Sequence, residues 1–255
     1  MITIDQAQAI ILDAVPLLVA EEVPLLAALG RVVAEDLHAP WDIPLTDYSA
    51  MDGYAFAAAG GTELTLAGFL PAGGCYEMPV PVGSAVKIMT GAVIPVACDT
   101  VIPVEDVEVS IGFISIHKKA SPGMNIRLKG EDVVQGELVI PAGTLLRPAE
   151  ISMITSLGRT TVIVIRSPQV AIISTGDELL DAGSIPRPGQ VLNSNSYGIA
   201  AQAMESGAHP VMLGIARDDR ESTKRMITDG LVADLIITTG GVSVGDRDLV
   251  TAIPA

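Results

Sequence analysis

Apolar residues at Ile4, Ala7, Ile10, Ile11 and Ala14 recur at helical spacing, and Thr3 and Gln6 stand where a capping box would form. The pattern predicts an amphipathic helix over residues 3–14, ended by Pro16. A short strand is expected over 21–25, one helical turn over 26–29 closed by Gly30, and a second strand over 31–37. From Tyr54 to about Val109 the apolar runs are short and broken by Gly and Pro. Val80-Pro81-Val82-Gly83 and Val101-Ile102-Pro103-Val104 are too proline-rich for the middle of a regular sheet. A small barrel or distorted β-domain fits this stretch. A helix is expected over 148–157, closed by Gly158, and a strand over 160–165. Arg166-Ser167-Pro168 marks a boundary, after which strand and helix patterns alternate: strand 169–174, a helix capped by Asn193 or Asn195 and closed by Gly207, strand 210–215, helix 221–228 and strand 235–239. This second half is α/β in character and the first is largely β, so the chain reads as multidomain.

Composition narrows the picture. The chain has 255 residues, 49% hydrophobic but only 3% aromatic, so Ala, Val, Ile and Leu carry the core. A net charge of −15 argues against a nucleic-acid groove and against an anionic membrane surface. No run reaches the roughly 18 apolar residues of a membrane span. No basic start precedes an apolar block at the N-terminus, so no signal peptide is visible and a cytoplasmic location is expected. Cys75 and Cys98 have no metal or redox spacing, and His38, His117 and His209 are isolated, which points to structural or surface roles.

Candidate chemistry lies in the loops. Residues 39–53 contain two prolines, three aspartates and the sole tryptophan, which excludes an ordinary core element. Asp47, Ser49 and Asp52 offer oxygens there to a metal or a substrate hydroxyl; alternatively the loop is simply solvated, with Trp41 as its anchor. Thr90-Gly91 is either a plain turn or a hydroxyl set beside a flexible backbone. Residues 125–132 gather Arg127 and Lys129 with Glu131 and Asp132, as a solvated charged hairpin or as a cationic patch for an oxyanion. In the α/β part, three successive strand ends carry carboxylates: Asp177 and Glu178, Asp218 and Asp219, Asp246 and Asp248. In a parallel sheet all three would share one edge, where ligands of such folds bind. Thr175-Gly176 and Thr239-Gly240-Gly241, with Ser243 and Gly245 behind, let backbone N–H groups approach a phosphate. Asp246 is placed to cap a following helix. Hard oxygen donors from several loops suit Mg²⁺ brought in with a phosphate.

The motifs Ser-Ala-Met-Asp-Gly at 49–53, Met-Thr-Gly-Ala at 89–92, residues 125–132, Ser-Thr-Gly-Asp-Glu-Leu at 174–179, Asn-Ser-Asn at 193–195, Arg-Asp-Asp at 217–219 and Thr-Gly-Gly-Val-Ser-Val-Gly-Asp-Arg-Asp at 239–248 occur in this order along essentially the whole chain. In these the chain resembles the molybdopterin molybdenumtransferases, the family of bacterial MoeA and of the E domains of plant Cnx proteins and gephyrin. The resemblance implies a Mg²⁺-dependent reaction that takes adenylated molybdopterin and molybdate, releases AMP and places molybdenum on the dithiolene sulfurs. It implies an N-terminal mixed α/β domain from 1–50 and 126–166, a β-barrel-like domain over 51–125, and an incomplete, Rossmann-like molybdopterin-binding α/β domain over 167–255. By motif match Glu178, Asp218 and Asp248 would hold or orient the metal, and Asp248 would also orient the attacking water. Asp52 and Thr90 would complete the site from the β-domain of a partner subunit. Gly176, Asp177, Asn195, Gly240, Gly241, Ser243, Gly245 and Asp246 would hold the substrate. A homodimer, and contact with the molybdopterin adenylyltransferase, are also implied.

The family pattern continues beyond Ala255 through a Lys-Pro-Gly-Lys-Pro segment and a further small β-domain, so the chain reads as C-terminally truncated. Two other readings compete. The α/β part also resembles the molybdopterin adenylyltransferases, although those lack the preceding 165 or so residues with their own family motifs. A gephyrin-like scaffold that binds without turnover is the other.

Overall fold

A six-stranded sheet organises Asp36–Pro141, one of two compact units in the computed structural model, which describes residues 2–240. Its strands run in the order Thr100–Pro103, Gly53–Phe56, Ser84–Ile88, Glu63–Leu70, Phe113–Ile116, Val107–Ser110. All neighbours are antiparallel except Glu63–Leu70 with Ser84–Ile88. The two edge strands are consecutive in sequence, joined only by the 3₁₀ turn Val104–Asp106. So short a link between opposite edges requires the sheet to curl on itself. Proline sits where a sheet tolerates it: Pro103 ends an edge strand, and Pro81 precedes a strand.

Both faces of this sheet are covered. Gly53–Phe56 is buried throughout, and its alternation sends Tyr54 and Phe56 into one cluster with Leu64, Ile102 and Ile114, and Ala55 into another with Val86, Ile88 and Val101. Glu63–Leu70 contributes to both clusters through a register shift between Leu66 and Gly68. The extra residue turns Leu64 and Leu70, which strict alternation would place on one face, towards different clusters.

The expected loop over 39–53 is laced to the 125–137 segment. Tyr48 and Ser49 pair with Arg127 and Ile126, Ile43 exchanges backbone hydrogen bonds with Val133, and Asp42 accepts from the Gln135 N–H at 2.8 Å. Trp41 stays 40% exposed, so hydrogen bonds rather than a buried indole anchor this loop.

The other unit comprises the segments up to Glu35 and from Ala142 onward. Its first helix, α1 (Ile4–Ala14), forms the expected capping box between Thr3 and Gln6, yet none of its residues is buried. Ala20–Pro24 pairs antiparallel with Thr161–Ile165, and α2 (Pro148–Ser156) starts at a proline in its first turn. The strand expected over 31–37 does not form as one ladder. Val32 bridges Leu145 while Val33 bridges Val164, so consecutive residues face different partners; only Leu37–His38 is a strand, paired with Leu138–Ile140.

The α/β region carries a parallel sheet in the order His209–Ala216, Gln169–Thr175, Leu235–Thr239. Val170 to Ser174 are all buried, the continuous burial of a central parallel strand. Ile172 and Ile173, at 1% exposure or less, each contribute about 1.5–3 kcal/mol by leaving water. The chain leaves the central strand, forms α3 (Ser194–Glu205) and returns on one side. It then forms α4 (Arg220–Gly230) and crosses to the other side. Right-handed crossovers in opposite directions put the two helices on opposite faces and leave a crevice at the carboxyl end of the central strand. At the opposite end, Asp234 accepts from Arg166 at 2.6 and 2.8 Å and from the Gln169 N–H at 2.8 Å, which sets the register of the last strand. Among the described residues no helix is long and apolar enough to cross a membrane.

Candidate functional site at the carboxyl edge of the parallel sheet

Parallel register brings the three strand ends together. Thr175 stands opposite Ala216, and Ser174 opposite both Ile215 and Thr239. The loops starting at Gly176, Arg217 and Gly240 therefore leave from one edge. Both glycines are needed there. Gly176 has φ +143°, and a Cβ on it would lie 2.6 Å from Glu178 Oε2; Gly240 has φ +97°, and its Cβ would lie 2.9 Å from Thr175 Oγ1. The Gly176 N–H donates to the Ala216 carbonyl at 3.2 Å, tying the first loop to the second. Asp177 adds two long contacts, accepting from the Asp218 N–H at its carboxylate and from Arg217 at its carbonyl, each at 3.4 Å. Asp219 is occupied as the N-cap of α4, its carboxylate accepting from the Ser222 N–H at 2.8 Å.

A cavity of about 620 Å³ opens at this edge. Thr175, Glu178, Asn193, Asn195, Thr239 and Gly240 line it; Asp177 and Asp218 do not. Of the expected ligand-binding residues the structure thus gathers Glu178, Asn195 and Gly240 around one space, with Gly176 directly beneath the Glu178 carboxylate. Gly241, Ser243, Gly245, Asp246 and Asp248 lie outside the described residues. Among the described residues no group of three or more His, Cys, Asp and Glu side chains is placed to hold a metal ion.

The sequence offers Asn193 as one of two candidate helix caps, and Ser174 and Thr239 only as members of motifs, with no separate role. All three are joined. Thr239 Oγ1 donates to Ser174 Oγ at 2.8 Å, and Ser174 Oγ donates to Asn193 Oδ1 at 2.9 Å. Asn193 occupies the N-cap position of α3 but makes no side-chain capping bond. The available signal was a serine inside an otherwise apolar buried strand, because a buried hydroxyl must find a partner.

In the Asp36–Pro141 unit, Asp52 and Thr90 are in direct contact. Asp52 Oδ1 accepts from both the N–H and the hydroxyl of Thr90, each at 2.7 Å. Those bonds, the backbone one foremost, hold the Asp52 carboxyl below its ordinary range, and Lys87 adds to the effect. Ser49 is buried, its hydroxyl donating to the Met51 carbonyl at 2.6 Å, while its carbonyl accepts from the Gly91 N–H at 2.9 Å; it joins the turn before Asp52 to the turn after Thr90. Arg127 is engaged by Glu131 and Asp132, and the Lys129 Nζ lies 3.3 Å from Asp42. The 125–132 hairpin therefore neutralises Arg127 itself, and the 39–53 loop neutralises Lys129. Asp47 accepts from the Lys129 N–H at 2.8 Å and so braces the hairpin.

Comparison with known proteins places the two halves of the chain with two family models. A family model described as the MoeA N-terminal region (domain I and II) matches residues 2–158, and one described as a probable molybdopterin binding domain matches residues 171–254. The molybdopterin molybdenumtransferase of Haemophilus influenzae is 37% identical over 259 residues, covering 99% of this chain and 64% of that protein. Its counterpart in Nostoc sp. is 37% identical over 244 residues, covering 92% of this chain and 56% of that protein. Among solved structures, the molybdopterin biosynthesis MoeA protein of Pyrococcus horikoshii superimposes with a TM-score of 0.87 at 34% identity, covering 92% of this chain and 65% of that one. The chain thus spans between about half and two thirds of the length of these relatives.

Proposed function

The chain belongs to the MoeA family, and from that premise we propose that it carries part of the machinery that inserts molybdenum into adenylated molybdopterin in molybdenum cofactor biosynthesis. In the proposed reaction water cleaves the phosphoanhydride of adenylated molybdopterin. AMP leaves with one phosphate and molybdopterin keeps the other; molybdate then binds both dithiolene sulfurs and loses one oxo group, which departs as water with the two S–H protons. The observation that carries this reading is the convergence of the strand ends at Thr175, Ala216 and Thr239 on one sheet edge, beside a cavity that Glu178 lines.

Mg²⁺ is the proposed cofactor, and when bound it supplies charge neutralisation at the phosphates. Mg²⁺ is commonly held by one or two carboxylates together with substrate phosphates, and Glu178, with Asp218 on the neighbouring loop, has that donor chemistry. Glu178, Asp218 and Asp248 are its proposed ligands, and Asp248 also orients the attacking water. Gly176 and Gly240, with Gly241, Ser243 and Gly245, let the backbone close on the pyrophosphate. Asp177, Asn195 and Asp246 position the substrate. A second copy contributes Asp52 and Thr90, whose mutual hydrogen bonds keep the Asp52 carboxylate ionised and fixed in direction. The proposal includes a cytoplasmic homodimer that meets the molybdopterin adenylyltransferase, and a division into 1–50 with 126–166, a β-barrel-like 51–125, and a Rossmann-like 167–255.

The test is incubation with adenylated molybdopterin, Mg²⁺ and molybdate, following AMP. Release that requires Mg²⁺ and falls with Glu178→Gln supports the reading. Binding without AMP at any Mg²⁺ concentration replaces it with a scaffold role, and adenylation of molybdopterin from ATP replaces it with an adenylyltransferase.

A further inference from the structure

We propose that Asn193 is an anion-binding residue whose carboxamide is oriented by the buried Thr239–Ser174 hydroxyl chain, so that its NH₂ group and the open first turn of α3 together receive a phosphoryl oxygen. Asn193 is 6% exposed and Ser174 is fully buried. Thr239 donates to Ser174, which leaves the Ser174 proton for Asn193 Oδ1. The carboxamide oxygen is thereby committed as an acceptor facing the sheet, and Nδ2 must point the other way. Among the described residues no hydrogen bond satisfies Nδ2, and no fully buried side-chain nitrogen lacks a partner. Nδ2 therefore keeps some exposure, and the space Asn193 lines is the 620 Å³ cavity.

The same commitment leaves α3 uncapped. An N-cap side chain normally accepts from the second or third N–H of its helix, and the Asn193 oxygen is used elsewhere. Ser194 and Asn195, in that first turn, also line the cavity. Two side-chain N–H donors, free backbone N–H groups and the positive end of a twelve-residue helix then meet at one place. Among the described residues no cation lines the cavity, so on this side of it the donors are neutral. Their complement is an oxyanion, and a phosphoryl group rests on the proposed function as the source of one. Glu178 borders the same cavity and repels a bare anion, so binding is tighter with Mg²⁺ present.

The probe is inorganic phosphate, titrated with and without Mg²⁺ into the chain carrying ¹⁵N-asparagine, with side-chain and backbone resonances followed together. The Asn193 NH₂ pair and the Asn195 amide should shift in concert. Asn193→Asp keeps the acceptor for Ser174, loses the donor and adds a negative charge, so phosphate should bind at least roughly tenfold more weakly. Ser174→Ala leaves Asn193 intact but frees its oxygen to turn to the first N–H groups of α3, and should weaken phosphate roughly threefold, while the thermal transition of each variant reports whether it folds. The proposal is overturned if phosphate does not bind, if it binds without moving the Asn193 side chain, or if folded Asn193→Asp binds like the parent. Because the readout needs no turnover, a protein that binds phosphate through Asn193 but never releases AMP would sink the proposed reaction and leave this site standing.

Discussion

Gly53 closes the Met-Asp-Gly segment, and the structure gives it a steric rather than a conformational reason to be glycine. Its φ is not positive, so any residue could adopt its backbone conformation. A Cβ there, however, would lie 2.0 Å from the Ile102 carbonyl oxygen, 2.9 Å from its carbon and 3.2 Å from Pro103 Cα. Ordinary contacts need about 3.5 Å, so in Gly53→Ala the Thr100–Pro103 strand must retreat by roughly 1.5 Å. That strand is an edge strand paired with Gly53–Phe56, its Val101 is also bonded to Met124 and Asn125 on the far side, and its Val101 and Ile102 reach into the two separate buried clusters, so a retreat disturbs both sides. Overpacking of this kind costs about 1–3 kcal/mol, and each weakened ladder hydrogen bond about 1 more. We expect a loss of about 3–5 kcal/mol, a large share of a typical domain's stability. Gly91→Ala is the control: φ is +79° but nothing lies within 4 Å, so only the left-handed backbone cost of about 1–2 kcal/mol applies. Trp41, the sole tryptophan, reports this unit by fluorescence during urea unfolding. If Gly53→Ala costs less than Gly91→Ala, the steric argument is wrong.

Three further outcomes follow from the hydrogen-bond geometry. The Thr90 amide resonance should titrate with Asp52 and show a midpoint below the ordinary 3.8; a midpoint at or above that value would falsify the assigned contact. Asp234 is held at about 2 by Arg166 first and the Gln169 N–H second. A lowered carboxyl pKa stabilises the fold fully above its unfolded value near 3.8 and ceases to do so as pH falls towards 2, so Tm should drop more steeply over that window in the parent than in Asp234→Asn. Cys75 is exposed, whereas burial pushes the Cys98 thiol up to about 12, with Asp99 adding to the shift. Thiol reagents at pH 8 should therefore modify Cys75 alone in the native protein and Cys98 only on unfolding; equal rates for both would count against the packing around Cys98.

Much of the α/β half was legible because its signals are local. Apolar runs of five to seven residues ending in Thr-Gly, and helical runs preceded by Asn or Asp, specify strand, turn and helix without reference to distant segments. The shared edge of the three loops then follows from parallel pairing alone. The β half was less legible because its order is non-local. Nothing near Thr100 shows that this strand pairs with Gly53–Phe56 rather than with the strand that follows it, nor that Asp52 and Thr90 meet. Proline placement excluded central strands correctly, but it does not select a partner. Arg127 shows the same limit. Its neighbours in sequence, Glu131 and Asp132, are also its neighbours in space, so apparent cationic potential is spent within one hairpin.

Asn193 shows why a residue's type and place in a helix can mislead. Asparagine before a helical run is ordinarily a cap, and forgoing the capping bond costs α3 about 0.5–2 kcal/mol. What diverts the side chain is Ser174, nineteen residues earlier, which cannot lie buried without a partner for its hydroxyl. The two demands compete for one oxygen, and the buried one wins because α3's first turn can reach solvent or ligand while Ser174 cannot. Ser174→Ala removes the competitor. It costs the Ser174–Asn193 bond and leaves Thr239 without its acceptor, about 1 kcal/mol each, but it frees Asn193 to cap α3 and regain about 1. The net loss should be near 1 kcal/mol rather than 2, and Asn193→Ala introduced afterwards should still cost the value of a cap. If Asn193→Ala instead costs nothing once Ser174 is alanine, the carboxamide does not move to the helix and the competition is not what keeps α3 open.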